Sequence, residues 1–156
     1  RDKILTRFHE KLLPLLEKGH DLHVISHSWG TVVAYEGLRR YDDEQLDCQV
    51  SSFFVLGSAL SIKHVRRNLF KRVNDGRKPT VVDRFINLDA SGDSVGGSLE
   101  QHFEITKEYV DIFPTGCKVN PSNPNTTDDL ICAHSSYFNA DNFTVNRDII
   151  ARSINA

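Results

Sequence analysis

The fold of this chain is decided by residues 22–31, Leu-His-Val-Ile-Ser-His-Ser-Trp-Gly-Thr. The stretch opens with a short apolar run typical of a buried strand, and the residues from Thr31 to Arg40 favour a helix. Ser28 lies between them, in a sharp turn from strand to helix. Such a turn strains its central residue and projects that side chain from the carboxyl end of the strand. Ser28 is therefore a candidate nucleophile, and the alternative is that it caps the helix through its hydroxyl.

The alternation of strand and helix continues along the chain. A helical pattern covers residues 2–18, where Pro14 is expected to kink or split the helix. The sequence predicts strands near 22–26, 50–57 and 81–88, helices near 29–41, 61–73 and 142–154, and long loops at 89–97 and 116–129. No repeat or domain boundary interrupts this order. We therefore expect one α/β domain over residues 1–156 with a mostly parallel sheet.

Composition excludes some classes of function. The 156 residues are 39% hydrophobic and 26% charged, with a net charge of -2 that gives no footprint for nucleic acid. No apolar run is long enough for a transmembrane segment, and the first residues resemble no signal peptide, so cytoplasmic and secreted locations both stay open. The three cysteines have no metal-ligand spacing. Cys117 and Cys132 bracket a polar loop, and a disulfide between them is expected if the protein is exported.

Residues 24–31 resemble the nucleophile elbow of the α/β-hydrolase superfamily of serine esterases and lipases. The resemblance implies a three-layer fold, a mostly parallel sheet flanked by helices, and catalytic residues in the order serine, acid, histidine. Ser26 stands where the family usually has glycine. Gly30 supplies the small residue after the nucleophile, which is expected because the turn brings the helix close to its neighbours.

A serine nucleophile requires a histidine base. His134 is the best placed of seven histidines, because it follows the last short apolar run after the candidate acid. Its segment, His134-Ser-Ser-Tyr137, resembles the His-Ser-x-Tyr stretch around the histidine of many bacterial hydrolases. The competing histidines are His9, His20, His23, His27, His64 and His102.

The candidate acid follows the third predicted strand. Gly92-Asp-Ser-Val95 resembles the loop that carries the acid in related lipases, which favours Asp93. Asp89, nearest the strand's end, is the alternative, and Asp83 also flanks this strand. The backbone N–H of Trp29, directly after the nucleophile, is the expected oxyanion donor.

Together these residues imply a serine hydrolase that cleaves carboxylic esters, with lipid or fatty-acyl esters favoured and no metal or organic cofactor required. The alternative is a non-catalytic hydrolase-like interaction domain. The resemblance begins at the elbow, so the strands that the family places before it are missing and the chain is expected to be part of a longer hydrolase domain. The edge beside residues 22–25 should therefore be unpaired, or covered by an upstream polypeptide or a second subunit.

Overall fold

The computed structural model describes residues 1–19, 21–43 and 49–155. His20, one of the candidate histidines, and Cys48 lie outside the described residues.

A four-stranded, all-parallel sheet forms the centre of the described chain. Its strands are β1 (Leu22–His27), β2 (Val50–Leu56), β3 (Val82–Ala90) and β4 (Lys107–Ile112), and their spatial order is the order of the sequence. All three neighbouring pairs are parallel. The predicted strands and the predicted parallel sheet are therefore confirmed, whereas β4 was not predicted.

The register aligns the carboxyl ends of the first three strands. His27 lies opposite Leu56, and Leu56 lies opposite Leu88. Residues that directly follow these strands therefore emerge along one edge of the sheet, which is where ligand sites of parallel sheets form.

Helices alternate with the first three strands, and β4 follows β3 without a helix between them. The helices are α1 (Asp2–Glu17), α2 (Trp29–Arg39), α3 (Lys63–Val73), α4 (Leu130–Ser135) and α5 (Arg152–Ile154), and a π-helical segment (Thr144–Ala151) leads directly into α5. The prediction that Pro14 splits the first helix is wrong, because α1 runs through it. Pro14 and Glu10, whose carbonyl Pro14 cannot bond, are both exposed, so water replaces the missing partner.

Apolar side chains cover the sheet on both faces. Along β2, Phe53 and Val55 face a core shared with α1, α2 and α3, whereas Phe54 and Leu56 face a second core that includes Tyr137 and the π-helical segment. This alternation is the two-residue period of a strand buried on both sides. It also places the segment after α4 against the face opposite α2.

Among the described residues, β1 pairs only with β2, which leaves an open edge of the sheet at β1. Ile25 in this strand is 45% exposed. A disulfide joins Cys117 to Cys132 across the polar loop before α4. Among the described helices, none has the length and apolar character that crossing a bilayer requires.

Candidate active site

Ser28 has the strained backbone expected at the turn between β1 and α2. Its φ is 55° and its ψ is -129°, a region that few residues other than glycine adopt. The Ser28 N–H donates to the carbonyl of Leu56 at 3.1 Å, and its carbonyl accepts from the Thr31 N–H and hydroxyl at 3.1 and 2.6 Å. The hydroxyl itself makes no capping hydrogen bond, so the alternative in which it caps the helix is wrong.

Hydrogen bonds from two serine hydroxyls stabilise the turn at Ser28. Ser58, which follows β2, donates to the Thr31 hydroxyl at 3.0 Å, and both side chains are fully buried. The Ser26 hydroxyl donates to the carbonyl of Phe54 at 3.2 Å. This bond explains how serine replaces the usual glycine two residues before Ser28, since its polar atom is satisfied by the neighbouring strand.

Gly30 does not meet the steric need predicted for it. A Cβ built on this residue has no atom within 4 Å outside its own helix and chain neighbours. The expectation of close packing is therefore wrong for the described residues. The physical reason is the open edge of β1, because Gly30 lines a cavity there with Val24, Ile25 and Val33.

Asp93 and His134 form a hydrogen-bonded pair. The Nδ1 atom of His134 lies 3.0 and 2.9 Å from the two carboxylate oxygens of Asp93. Asp93 also accepts from the Val95 N–H at 2.8 Å and from the Tyr137 hydroxyl at 2.9 Å. The Asp93 side chain is fully buried, whereas that of His134 is 20% exposed. Hydrogen bonds thus fix the position of the Asp93 carboxylate, whereas the His134 ring remains accessible to solvent.

The charge of Asp93 fixes the tautomer of His134. Burial by itself would raise the pKa of Asp93, but the hydrogen bonds from His134, Val95 and Tyr137 lower it below the usual value. An ionised carboxylate only accepts, so Nδ1 of His134 carries the proton. Neutral His134 consequently presents an unprotonated Nε2, as a general base requires.

His134 lies in the short helix α4. The Asp129 carboxylate caps this short helix by accepting from the Cys132 N–H at 3.0 Å, and the disulfide ties Cys132 to Cys117. The ring of His27 packs against that of His134 with centroids 4.4 Å apart, and Nε2 of His27 lies 2.7 Å from the His134 carbonyl.

Ser28 and His134 lie at the same edge of the sheet. A Cβ built on Gly57 would lie 3.0 Å from Nδ1 of His134, and Gly57 follows Leu56, whose carbonyl bonds the Ser28 N–H. Within the described chain, however, no hydrogen bond joins the Ser28 hydroxyl to His134. The structure therefore joins the predicted acid and base and places the half-buried predicted nucleophile nearby without a bond to them.

The alternative acids are placed differently. Asp83 is exposed at the start of β3. Asp89 is the penultimate residue of this strand, and one of its carboxylate oxygens, Oδ1, is buried without a hydrogen-bond partner in the described residues. Burial, and then the nearby charges of Asp93, Asp111 and Glu108, raise the pKa of Asp89 to about 7.

The other described histidines have different surroundings. His9 bonds the Tyr41 hydroxyl, His23 lies 3.3 Å from Asp21, His64 bonds Asn68 on the exposed side of α3, and His102 is exposed. His134 is the histidine that meets Asp93.

Trp29 is the first residue of α2, where a helix amide has no acceptor within the helix. Its N–H therefore has no partner within α2, and Trp29 directly follows Ser28 in the chain. Its side chain is 62% exposed.

Two contributors to the site were not predicted, namely Tyr137 and His27. Tyr137 is fully buried, donates to Asp93, and accepts from the Ala90 N–H at 2.8 Å. The quoted His-Ser-Ser-Tyr segment contains this tyrosine, but nothing local to it indicates an aspartate 44 residues away. In the described part of the chain, no cluster of His, Cys, Asp or Glu is arranged to hold a metal ion.

Comparisons with known proteins returned no match. No protein-family model matches the chain, and neither a curated protein nor a solved structure is similar to it.

Proposed function

We propose that the protein is a serine hydrolase that cleaves carboxylic esters through an acyl-enzyme on Ser28. The observation that carries this proposal is the Asp93–His134 pair, held at the same sheet edge as a serine with a strained backbone. A buried carboxylate that fixes the tautomer of an accessible histidine is the device that activates a serine hydroxyl.

The proposed reaction has two halves, formation and hydrolysis of the acyl-enzyme, and the same groups act in both. Nε2 of His134 takes the Ser28 hydroxyl proton as Oγ attacks the ester carbonyl, and Asp93 stabilises the imidazolium that forms. The Trp29 N–H donates to the oxyanion, and His134 then returns the proton to the leaving alkoxide. Water repeats the sequence on the acyl-enzyme. The hydrogen bond between Ser28 and His134 forms in the substrate complex, since such bonds are often loose in the free enzyme.

Exposed apolar side chains near the site favour an ester with an apolar acyl or alcohol part. Trp29 is 62%, Ile131 81% and Phe138 60% exposed, and the Phe138 ring lies 5.2 Å from that of His27. Trp29 adjoins the nucleophile, and Ile131 and Phe138 flank His134 in sequence. Burial of these side chains against substrate would contribute hydrophobic free energy to binding. This supports lipid or fatty-acyl esters as the substrate class.

Labelling by a fluorophosphonate probe tests the proposal. We expect covalent modification of the wild-type chain at Ser28, identified by peptide mass spectrometry, and none in Ser28→Ala. The matched control is Ser122→Ala, in an exposed loop, which should label like the wild type. The Ser28 hydroxyl makes no capping bond, so Ser28→Ala should melt within about 1 °C of the wild type. Unchanged labelling of Ser28→Ala would overturn the assignment of the nucleophile.

Asp93→Asn tests the acid separately. An asparagine amide can donate to Nδ1 and so favour the tautomer with the proton on Nε2, which cannot accept from Ser28. We expect kcat for ester hydrolysis to fall by about 10³ to 10⁴-fold with KM little changed. The steady-state rates of wild type and variant on one chromogenic acyl ester decide this, and a kcat within tenfold of the wild type would contradict the role of Asp93.

A non-catalytic hydrolase-like interaction domain is the second candidate. Two observations favour it: the Ser28 hydroxyl is not bonded to His134 in the described chain, and β1 leaves an open edge with Ile25 exposed. In a three-layer hydrolase fold, that edge would pair with an upstream polypeptide or a second subunit. Absence of Ser28 labelling in a folded chain that binds a partner through β1 would establish this candidate.

A further inference from the structure

A cavity of about 500 Å³ lies at the end of α2 remote from Ser28. It is formed where the ends of α2 and α3 meet the start of α1. Ser28 precedes α2, and Arg39 ends it after 11 residues, so the two are about 16 Å apart along the helix axis. The cavity is therefore a site separate from the proposed active site. Five arginines line it: Arg1, Arg39, Arg40, Arg72 and Arg77.

Positive charge exceeds negative charge in this cavity. Against the five guanidinium groups, the lining contains two carboxylates, Glu36 and Asp42. Their side chains are only 7% and 3% exposed. The cavity is thus strongly positive in a chain whose net charge is -2.

Both carboxylates are already occupied by arginines of the lining. Glu36 accepts from Arg1 and Arg72, each through two of its nitrogens. Burial by itself would raise the pKa of Glu36, but these hydrogen bonds lower it below the usual value, so the carboxylate is ionised near neutral pH. Asp42 pairs with Arg39 and lies 3.5 Å from Arg77. Glu36 and Asp42 therefore hold the lining arginines in position, and the lining as a whole keeps an excess of positive charge.

Arg40 and Arg77 have N–H donors that make no hydrogen bond to the described residues. Arg77 is 53% exposed in its side chain, and its ion-pair distances of 3.5 and 3.8 Å to Asp42 and Asp75 are longer than hydrogen bonds. Arg40 is exposed, and its side chain has no hydrogen bond or ion pair to the described residues. A guanidinium group has five N–H donors in a rigid fork, so Arg40 and the loosely paired Arg77 both retain donors for a ligand in the cavity.

The frame that carries these arginines is rigid. The buried guanidinium of Arg39 donates to the backbone carbonyls of Val73, Asp75 and Arg77, which fixes the turn after α3 to the end of α2. Within this turn Asn74 has a φ of 71°, and the Asp75 N–H bonds the Val73 carbonyl at 2.9 Å. A tight three-residue turn of this kind is strained and persists only where its surroundings hold it.

We propose that this cavity binds a phosphate group carrying about two negative charges, as in a phosphomonoester or a diphosphate. Several guanidinium forks on different elements match the tetrahedrally arranged oxygens of phosphate better than the planar pair of a carboxylate. Five arginines of the lining meet its two carboxylates and also Asp75, which accepts from Arg39 at 2.9 Å, so the two positive charges in excess match such a dianion. The group belongs either to a small soluble molecule or to a phospholipid headgroup.

Binding of inorganic pyrophosphate, measured by isothermal titration calorimetry at low salt, tests the proposal. We expect saturable binding at one site per chain, and we expect the double variant Arg40→Gln/Arg77→Gln to weaken it by at least about 10-fold. The control, Arg67→Gln/Arg147→Gln, removes the same charge from exposed positions outside the cavity and should change the affinity by less than about 2-fold. Equal weakening by both pairs, or no saturable binding up to about 10 mM pyrophosphate, would refute the site.

Vesicles distinguish the two sources of phosphate. Co-sedimentation with phosphatidylcholine vesicles containing phosphatidic acid, lost in the cavity variant and absent with phosphatidylcholine alone, would assign a lipid headgroup. Pyrophosphate binding without vesicle binding would assign a soluble ligand. Each variant is first checked by circular dichroism, and if the double variant is not folded, Arg40→Gln alone decides, because that side chain has no hydrogen bond or ion pair to the described residues. Fluorophosphonate labelling of Ser28 should be the same in all these variants, so the outcome is independent of the esterase proposal.

Discussion

At the scale of single residues, Tyr137 connects the proposed acid to the end of β3. Its hydroxyl donates to Asp93 and accepts from the Ala90 N–H, so Tyr137→Phe removes one bond from the acid and leaves a buried amide unsatisfied. We expect a loss of about 1–3 kcal/mol in the free energy of unfolding and a fall in kcat of roughly 10-fold. Denaturant titration and steady-state hydrolysis measure the two effects.

Tyr35→Phe is the matched control for this prediction. Tyr35 is also fully buried and its hydroxyl donates to the Arg77 carbonyl at 2.7 Å, but it lies in the other core. Tyr35→Phe should lower the free energy of unfolding by a similar amount and leave kcat unchanged. Equal kcat values for Tyr137→Phe and the wild type would remove Tyr137 from the site.

Asp89 makes the stability of the fold depend on pH. The pKa of this carboxyl is about 7 in the fold, against about 3.9 in an unfolded chain. Between these values the unfolded chain loses the proton and the fold retains it, so the contribution of Asp89 to stability falls as pH rises and is lowest above pH 7.

Asp89→Asn removes this titration. We expect the variant to be more stable than the wild type by about 1–2 kcal/mol at pH 8, allowing for solvent screening of a partly exposed group, and equal to it near pH 4. Urea titrations at both pH values measure the difference. A variant less stable than the wild type at pH 8 would contradict the unfavourable burial of the ionised Asp89.

The residues of the candidate site differ in how far sequence predicts them. Ser28 and His134 lie in local patterns, and Asp93 follows a strand that its apolar run identifies. Tyr137 and His27 act through contacts with Asp93 and His134 that only folding creates. The raised pKa of Asp89 likewise depends first on burial and then on carboxylates that folding brings together, neither of which a local pattern contains.

At the scale of elements, the packing of α2 against β1 leaves room beside Gly30. Glycine in a helix is less stable than alanine by about 0.5–1 kcal/mol, and a Cβ here meets no atom within 4 Å. We therefore expect Gly30→Ala to raise the midpoint of thermal unfolding by a few degrees. Calorimetry of both chains tests this.

Gly37→Ala is the control on the same helix. A Cβ at Gly37 would lie 2.5 Å from the ring of Phe8 in α1, so this variant should be destabilised. Destabilisation by Gly30→Ala as well would mean that another segment packs over the open edge of β1.

The elements that sequence predicts are those with one dominant pattern. β2 and β3 are largely buried, and each contains a group of apolar residues, Phe53–Leu56 in β2 and Phe85–Leu88 interrupted by Asn87 in β3, as parallel strands favour. β4, with the sequence Lys-Glu-Tyr-Val-Asp-Ile, is an edge strand in which only Ile112 is buried, so its sequence contains no apolar run that would predict a strand. α4 has only six residues and depends on its Asp129 cap and the disulfide rather than on periodicity.

At the scale of the whole molecule, the order of strands follows from the alternation of strand and helix, because sequential parallel strands tend to be neighbours. The arginine-lined cavity could not be predicted in this way. Its lining comes from residues 1 to 77, and the surplus of charge exists only after three helix ends meet.

The disulfide between Cys117 and Cys132 would hold the chain together if the backbone were cut between these two residues. Lys118 is exposed and lies inside the closed loop, so trypsin should cut after it. We expect the nicked protein to run as one species on a non-reducing gel and as two fragments after reduction, whereas Cys117→Ser/Cys132→Ser should yield two fragments under both conditions. A single cut in this loop would then leave the segment that carries His134 covalently linked to the rest of the chain, so the protein could be nicked by a protease without losing that segment.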